Sequence, residues 1–271
     1  GVLEVSQASS TSIYNSSRSL KLGSSYNNGS NIGQFTGYID EFRITIGTAR
    51  YTADFTPQTR EFYPGTAVSD ITSNNNSGFN VGSTTLNSSG GISTYGPFNL
   101  SQYINIPFKT QQQVSNITAG GWFYSNNWSN ADGALFSNFQ LGGFGITADR
   151  NGNGKLEARI ITSVSPETIQ SVNVNLSTIS SGWHQIYITV DNSSFKLYID
   201  ANEVNAQSIN NGIMYGGNYD ILIGADPGPS GPSTSIGFFD GLVGLVKIYD
   251  SALSQADITS EFNYHKSTFG L

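Results

Sequence analysis

Residues 183–200 read "WHQIYITVDNSSFKLYID". In an extended chain, Trp183, Gln185 and Tyr187 fall on one side and His184, Ile186 and Ile188 on the other. A period of two marks a β-strand. Asp191-Asn192-Ser193-Ser194 then reads as a turn, because short polar side chains bond back to their own backbone. "FKLYID" (195–200) resumes the strand pattern, so the whole stretch predicts a β-hairpin.

The same pattern recurs outward in both directions. "AGGWFYSNNW" (119–128) opens with an apolar, aromatic strand. "ALFSNFQLGGFGITAD" (134–149) and "KLEARIITSV" (155–164) flank Asn151-Gly152-Asn153-Gly154, whose Asn-Gly pairs supply the positive φ of a tight hairpin turn. "YDILIGAD" (219–226), a Pro/Gly loop (227–232) and "GLVGLVKIYD" (241–250) follow. Strands at this spacing, with no long helical period, predict an all-β, antiparallel two-sheet sandwich. Trp122 and Trp183 sit in apolar strand contexts and are expected in the core. One short helix is expected after Ser254, with Asp257 in its first turn and Ile258 and Phe262 on its apolar side.

Composition supports this reading and narrows function. The 271 residues suffice for one large all-β domain or two smaller ones. Hydrophobic residues make up 37% and aromatics 12%, enough to bury a core, while charged residues are only 11%. The formal net charge is −7 and the cations are scattered, so nothing is arranged to neutralise a run of phosphates, and nucleic acid is not expected as a partner. No apolar run reaches the length of a membrane span and no positive-then-apolar start is present. Membrane insertion is therefore not expected. Cysteine is absent, which excludes disulfides, thiolate chemistry and Cys-based zinc sites. Nine Asn-x-Ser/Thr triplets are glycan acceptors only in a secreted eukaryotic setting, and they arise by chance in a chain so rich in Asn and Ser.

Part of this pattern occurs twice. "LKLGSS" (20–25) matches "ILIGAD" (221–226), and "FTGYIDEFRIT" (35–45) matches "FDGLVGLVKIY" (239–249). Residues 1–63 thus read as the C-terminal part of a first sandwich, incomplete by itself, and residues 64–271 as a complete one. Other residues, upstream in a longer polypeptide or from a neighbouring chain, are expected to complete the first, because three or four strands alone leave apolar faces and edges uncovered.

"GGWFYSNN", "SGWHQIYITVDNSSFKLYIDANEV", "DILIGAD" and "FDGLVGLVKIYDSALSQADI" together resemble the concanavalin A-like lectin/glucanase superfamily, and within it the laminin-G-like domains. "GYIDEFRITIGTARYTADFTP" (37–57) is similar to laminin-G-like repeats of bacteriophage tail and other virion proteins and of large bacterial adhesins. The resemblance implies a jelly roll of two antiparallel sheets. It also implies a structural or adhesive surface protein: a phage tail fibre, head fibre or decoration protein that attaches to host-surface glycans. Its expected partners are other virion or surface-protein chains and such glycans, within an oligomer or longer chain at a virion surface or outside a cell. The alternative is a carbohydrate-binding module of a secreted bacterial adhesin or glycan-active enzyme.

Catalysis is not expected. The glucanase-type Glu-x-Asp-x-x-Glu strand is absent; Glu157 stands alone, and Asp40-Glu41 are adjacent, pointing to opposite faces of a strand. His184 and His265 read as strand and tail residues, and no Ser-His-Asp logic is visible. No cofactor is expected. A weak calcium candidate is Asp149, Asn151 and Asn153 at alternate positions, but Ile160 stands where a calcium loop places its bidentate Glu. Sugar binding calls for an aromatic platform beside amides or carboxylates. Tyr124, Asn126, Asn127, Trp128 and Asp132 supply those in one polar stretch, with Asp226 from the later loop, and form the candidate carbohydrate site.

Overall fold

The computed structural model describes residues 25–27, 30–32, 35–36, 66–74, 76–82, 86–89, 92–95, 102–228 and 231–271. The chain divides into two compact units, Gly1–Tyr63 and Pro64–Leu271. In the first, β1 (Ser25–Asn27) and β2 (Ser30–Ile32) pair antiparallel. The repeated stretch 35–45 with Asp40-Glu41, and the partial-sandwich reading built on it, lie almost wholly outside the described residues.

The second unit runs β3 (Thr66–Val68), β4 (Gly78–Val81), β5 (Leu86–Ser89), β6 (Ile92–Tyr95), β7 (Tyr103–Ile106) and β8 (Ile117–Ser125). It continues β9 (Gly133–Ser137), β10 (Phe144–Ala148), β11 (Lys155–Val164), β12 (Glu167–Asn175), β13 (Gly182–Val190), β14 (Ser194–Ile199) and β15 (Asn202–Ser208). It ends β16 (Ile221–Ile223), β17 (Asp226–Gly228), β18 (Gly231–Ile236), β19 (Leu242–Tyr249) and α1 (Gln255–His265). One sheet has eight strands in the order β12-β11-β10-β9-β16-β7-β4-β3; the other has seven, β15-β14-β13-β8-β19-β6-β5. The pairings within them are antiparallel, giving the predicted concanavalin A-like jelly roll. β17 and β18 form a separate hairpin.

The core follows from alternation. Ile117, Ala119 and Phe123 of β8, Ile186, Ile188 and Val190 of β13, and Phe195, Leu197 and Ile199 of β14 point inward. They meet Phe144, Ile146 and Ala148 of β10 and Leu156, Ala158 and Ile160 of β11. Each fully buried Val, Leu, Ile or Phe among them contributes about 1.5–3 kcal/mol relative to exposure.

The intervening residues of β8 and β13 point the other way, onto a face that α1 covers. Ser254 caps the helix as expected, its hydroxyl and Asp257 forming a reciprocal box. Ile258 is fully buried against Tyr187 and Tyr198. Trp122 stacks on Phe269, just past the helix, with centroids 4.3 Å apart, and on Phe262 at 5.7 Å. Trp122 is thus buried as expected, but under the helix rather than between the sheets. Trp183 is only half-buried and packs on Phe269 on that same face.

Residues 134–149 form not one strand but two. The chain reverses through Leu141, Gly142 and Gly143, all with positive φ (46°, 129° and 83°), so β9 and β10 pair with each other. A Cβ on Gly142 would lie 2.6 Å from the Met214 carbonyl, so this turn needs glycine for space as well as for φ.

Candidate functional site

The structure disperses the sequence-derived sugar candidates. Trp128 sits in a 3-10 turn, Trp128–Asn130, capped by the Asn127 side chain accepting from Ser129 N–H. That turn drives the indole inward: Trp128 has no exposed surface, packs 6.1 Å from Phe239, and donates Nε1–H to the Gly182 carbonyl at 3.2 Å. It offers no platform to a ligand, and the expectation for it is corrected. Tyr124 and Asn126 remain together at the rim, the phenol donating to Asn126 Oδ1 at 2.6 Å and the ring lying against Trp183. Asp132 accepts from Gly133 N–H at the start of β9. Asp226 accepts from the Ser137 hydroxyl at 2.5 Å, at the other end of β9. Five residues of strand, roughly 16 Å, separate the two carboxylates.

Asp226 shares its surroundings with cations instead. Burial pushes its carboxyl up, and the Ser137 hydroxyl and Arg159 partly offset that. The Arg159 guanidinium lies 4.2 Å over the Phe139 ring and 3.9 Å from Glu157. On the sheet, Glu157 is flanked by Thr147 and Asn173. Neither can act as the second carboxylate of a glycosidase pair.

The calcium candidate is a turn whose side chains are occupied. Asp149 Oδ1 accepts from Gly154 N–H at 2.5 Å, and Asn153 Oδ1 accepts from Lys155 N–H at 3.0 Å. Asn151 and Gly152 take the positive φ of a hairpin tip. Among the described residues no cluster of three or more His, Asp or Glu is placed to hold a metal ion.

Sequence reading missed one constellation. Ser180, His184 and Asp200 come together in serine–histidine–aspartate order, with Ser180 Oγ 3.2 Å from His184 Nε2 and Nδ1 2.6 Å from Asp200 Oδ2. The spacing of 180, 184 and 200 gave no signal, because a hairpin turn with positive φ at Asp200 and Ala201 brings the carboxylate back. The geometry is that of a clamp. Nε2 is also 3.0 Å from the Ser180 carbonyl, which can only accept. When Nδ1–H is donated to Asp200 and Nε2–H to that carbonyl, the ring is protonated and has no lone pair to take a proton from Ser180, an arrangement that favours a structural tie. Burial opposes that charge, but Asp200 and the Ser180 carbonyl outweigh it and hold the His184 pKa above its ordinary value. Asp200 Oδ1 also accepts from Gln185 N–H at 2.9 Å, so the clamp ties β13 to the β14–β15 turn.

Two depressions in the surface carry amides. One is lined by Gln112, Gln113, Asn138, Gln140, Tyr215 and Tyr219, with Phe108 and Gly217. Its composition suits a sugar, but its polar groups are already engaged. Gln113 donates to the Gly217 carbonyl, Gln140 to the Pro227 carbonyl and Tyr215 to the Val114 carbonyl, while Asn138 Oδ1 accepts from Phe144 N–H. It encloses no space for a water molecule.

The other is a cleft of about 180 Å³ where the edge strands of the two sheets meet. Thr162 and Ser163 of β11, Thr168 and Gln170 of β12, and 208–211 line it. Two cross-links hold this seam: Asn205 donates to the Asn173 carbonyl at 2.7 Å, and Gln207 to Gln170 Oε1. The β11–β12 register slips between Ile161 and Ser163, a bulge that re-aims Thr162 and Ser163. Among the described residues, the side chains of Ser163, Thr168, Ser208, Asn210 and Asn211 make no hydrogen bond within the protein, and Gln170 Nε2 keeps its donors. This cleft has both room and unspent polar groups.

No helix of the described residues is long and apolar enough to cross a membrane. A search of curated protein sequences finds no match. Among solved structures, the chain is similar to the receptor binding domain of botulinum neurotoxin C/D mosaic serotype, at 15% identity and TM-score 0.53, covering 71% of this chain and 47% of that one. It is similar to the binding domain of botulinum neurotoxin DC in complex with SialylT, at 15% identity and TM-score 0.52, covering 72% and 48%. It is also similar to the binding domain of botulinum neurotoxin serotype G, at 15% identity and TM-score 0.50, again covering 72% and 48%. The chain spans about half the length of these structures, and at such identity the likeness is one of fold, which is lectin-like. The laminin G family model, described as the concanavalin A-like lectin/glucanases superfamily, matches residues 98–259, more than half of the chain. The jelly roll and this match together make the chain a member of the concanavalin A-like lectin/glucanases superfamily, on its laminin G branch.

Proposed function

We propose that the chain is a non-catalytic, lectin-like recognition module that binds glycans, carried on a virion or cell surface. The observation behind this reading is the seam cleft, where hydroxyl and carboxamide groups with unspent hydrogen-bonding capacity converge on open space. Ser163, Thr168 and Gln170 are half-buried and Ser208, Asn210 and Asn211 are exposed, so water meets their polar groups, and a ligand rich in hydroxyls can replace that water bond for bond. The His184 clamp argues the same way, since the Ser-His-Asp grouping among the described residues ties its histidine to the Asp200 carboxylate and to the Ser180 backbone carbonyl.

The virion assignment rests on the likeness of residues 37–57 to virion repeats. On this reading residues 1–63 belong to a neighbouring sandwich, and the module is one of an array presented outward. Arrays suit weak single-site binding, because linked sites raise the effective affinity. The test is a glycan array probed with the full chain in multivalent form. Retention of defined glycans is the expected result, and a uniformly blank array contradicts the proposal.

A further inference from the structure

We infer that the seam cleft takes one neutral sugar ring and discriminates against rings that carry a carboxylate, a sulfate or an amine. This rests on the glycan-recognition reading above and adds the chemical class of the ligand.

Size comes first. Pockets for drug-sized ligands run to roughly 300–1,000 Å³. The cleft, at about 180 Å³, is smaller and holds a single ring rather than a stretch of oligosaccharide. Its position between two sheet edges leaves one side open to solvent, so the rest of a glycan can project outward.

Charge comes second. None of the lining residues, Thr162, Ser163, Thr168, Gln170 and 208–211, carries a charge. Glu167 precedes Thr168 on β12 and by alternation leaves from the opposite face of the sheet, and the other nearby charges are turned away or paired. Arg159 precedes Ile160 on β11, and Ile160 faces the core, so the guanidinium leaves from the opposite face of the sheet. Lys196 and Glu203, on the strands beside the seam, pair with each other at 2.9 Å. A ring carboxylate or sulfate entering the cleft loses water and meets no cation in return, and the chain's net charge of −7 adds a weak repulsion. An amine likewise finds no carboxylate.

Hydrogen bonding comes third. Sugar hydroxyls both donate and accept, and the lining answers both. Gln170 Nε2 donates, Asn210 and Asn211 each present a donor and an acceptor, and the hydroxyls of Ser163, Thr168 and Ser208 rotate to suit. Ile209 is the only apolar lining residue and no aromatic ring lines the cleft. Recognition therefore rests on hydrogen-bond geometry and not on stacking, which makes single-site affinity low and stereochemical selectivity high.

The test is calorimetric or NMR titration of the full chain with the methyl glycosides of glucose, galactose and mannose, and with glucuronate, N-acetylneuraminate and glucosamine. At least one neutral glycoside is expected to bind at least tenfold more tightly than every charged sugar. Ser208→Leu, which fills the cleft from an exposed strand end, is expected to abolish that binding with an unchanged melting temperature. Asn211→Ala is expected to weaken it at least fivefold, and Asn211→Lys to raise affinity for glucuronate. Preference for a charged sugar overturns the ligand class and leaves glycan recognition standing. Neutral binding that survives Ser208→Leu overturns the site. No binding to these sugars or to any array glycan overturns both readings together.

Discussion

The outer face under α1 and the seam between the sheet edges are built from opposite materials. The first is aromatic and closed: Trp122, Tyr187 and Tyr198 are almost wholly buried beneath Ile258, Phe262 and Phe269. The second is polar and open, with hydroxyls and amides around a cleft, of which Thr162 and Gln170 Oε1 are bonded within the protein and the side chains of Ser163, Thr168, Ser208, Asn210 and Asn211 are not. In the closed region the large aromatic side chains pack on one another and on the helix, so the region supplies stability, although Gln185 is buried there with its amide unpaired. In the open one several polar side chains lack a partner, so it has binding capacity left over. Stability and recognition are drawn from different residues, and substitutions should separate them.

The largest effect is expected at the closed face. Trp122→Ala removes two stacked ring contacts and leaves a cavity under the helix. A loss of roughly 3–5 kcal/mol in denaturant unfolding is expected, as for other buried aromatic truncations. A loss under 1 kcal/mol would mean that the helix contributes little and that the contrast between the two regions is overstated.

The His184 clamp comes next and gives a pH signature. Its folded pKa is raised above the unfolded value of about 6.5, so its contribution is fully present below that pH and fades as pH rises through the folded pKa. Asp200→Asn removes the anionic partner. It should cost about 1–3 kcal/mol at pH 5.5 and less at pH 9. Equal costs at both pH values would show that His184 is neutral and that the clamp is an ordinary hydrogen bond. Ser254→Ala, at the cap of α1, is expected to cost about 1 kcal/mol in the same unfolding assay. At the open region, Asn211→Ala should leave stability within about 0.5 kcal/mol of the parent while weakening glycan binding. If it destabilises instead, Asn211 belongs to the fold and not to the site.

Much of the fold could be read directly from the chain. The alternation in 183–190 and the turn at 191–194 are those of the β13–β14 hairpin, and Ser254 with Asp257 marked the start of α1. The reversal at 141–143 was missed because apolar residues continue across it, and only the paired glycines mark the break. Trp128 misled for a different reason. Its Asn and Ser neighbours read as a solvated loop, but they form a single 3-10 turn whose inward corner is the indole. The cleft had no sequence signature. Its residues come from three separated segments, joined only by a bulge and by two edge strands of different sheets, and Ser, Thr and Asn are too common here to stand out. The Ser180–His184–Asp200 clamp was hidden in the same way by a hairpin turn.

The separation of a closed, stabilising face from an open, recognising seam is tested most directly by amide chemical-shift mapping during titration of the full chain with a glycan that it retains. Shifts concentrated at 162–163, 168–170 and 208–211, with Trp122, Tyr187 and 255–265 unmoved, are the expected result. Shifts concentrated instead at Tyr124, Asn126 and Asp132 on the rim, or spread across the helix-covered face, would contradict it.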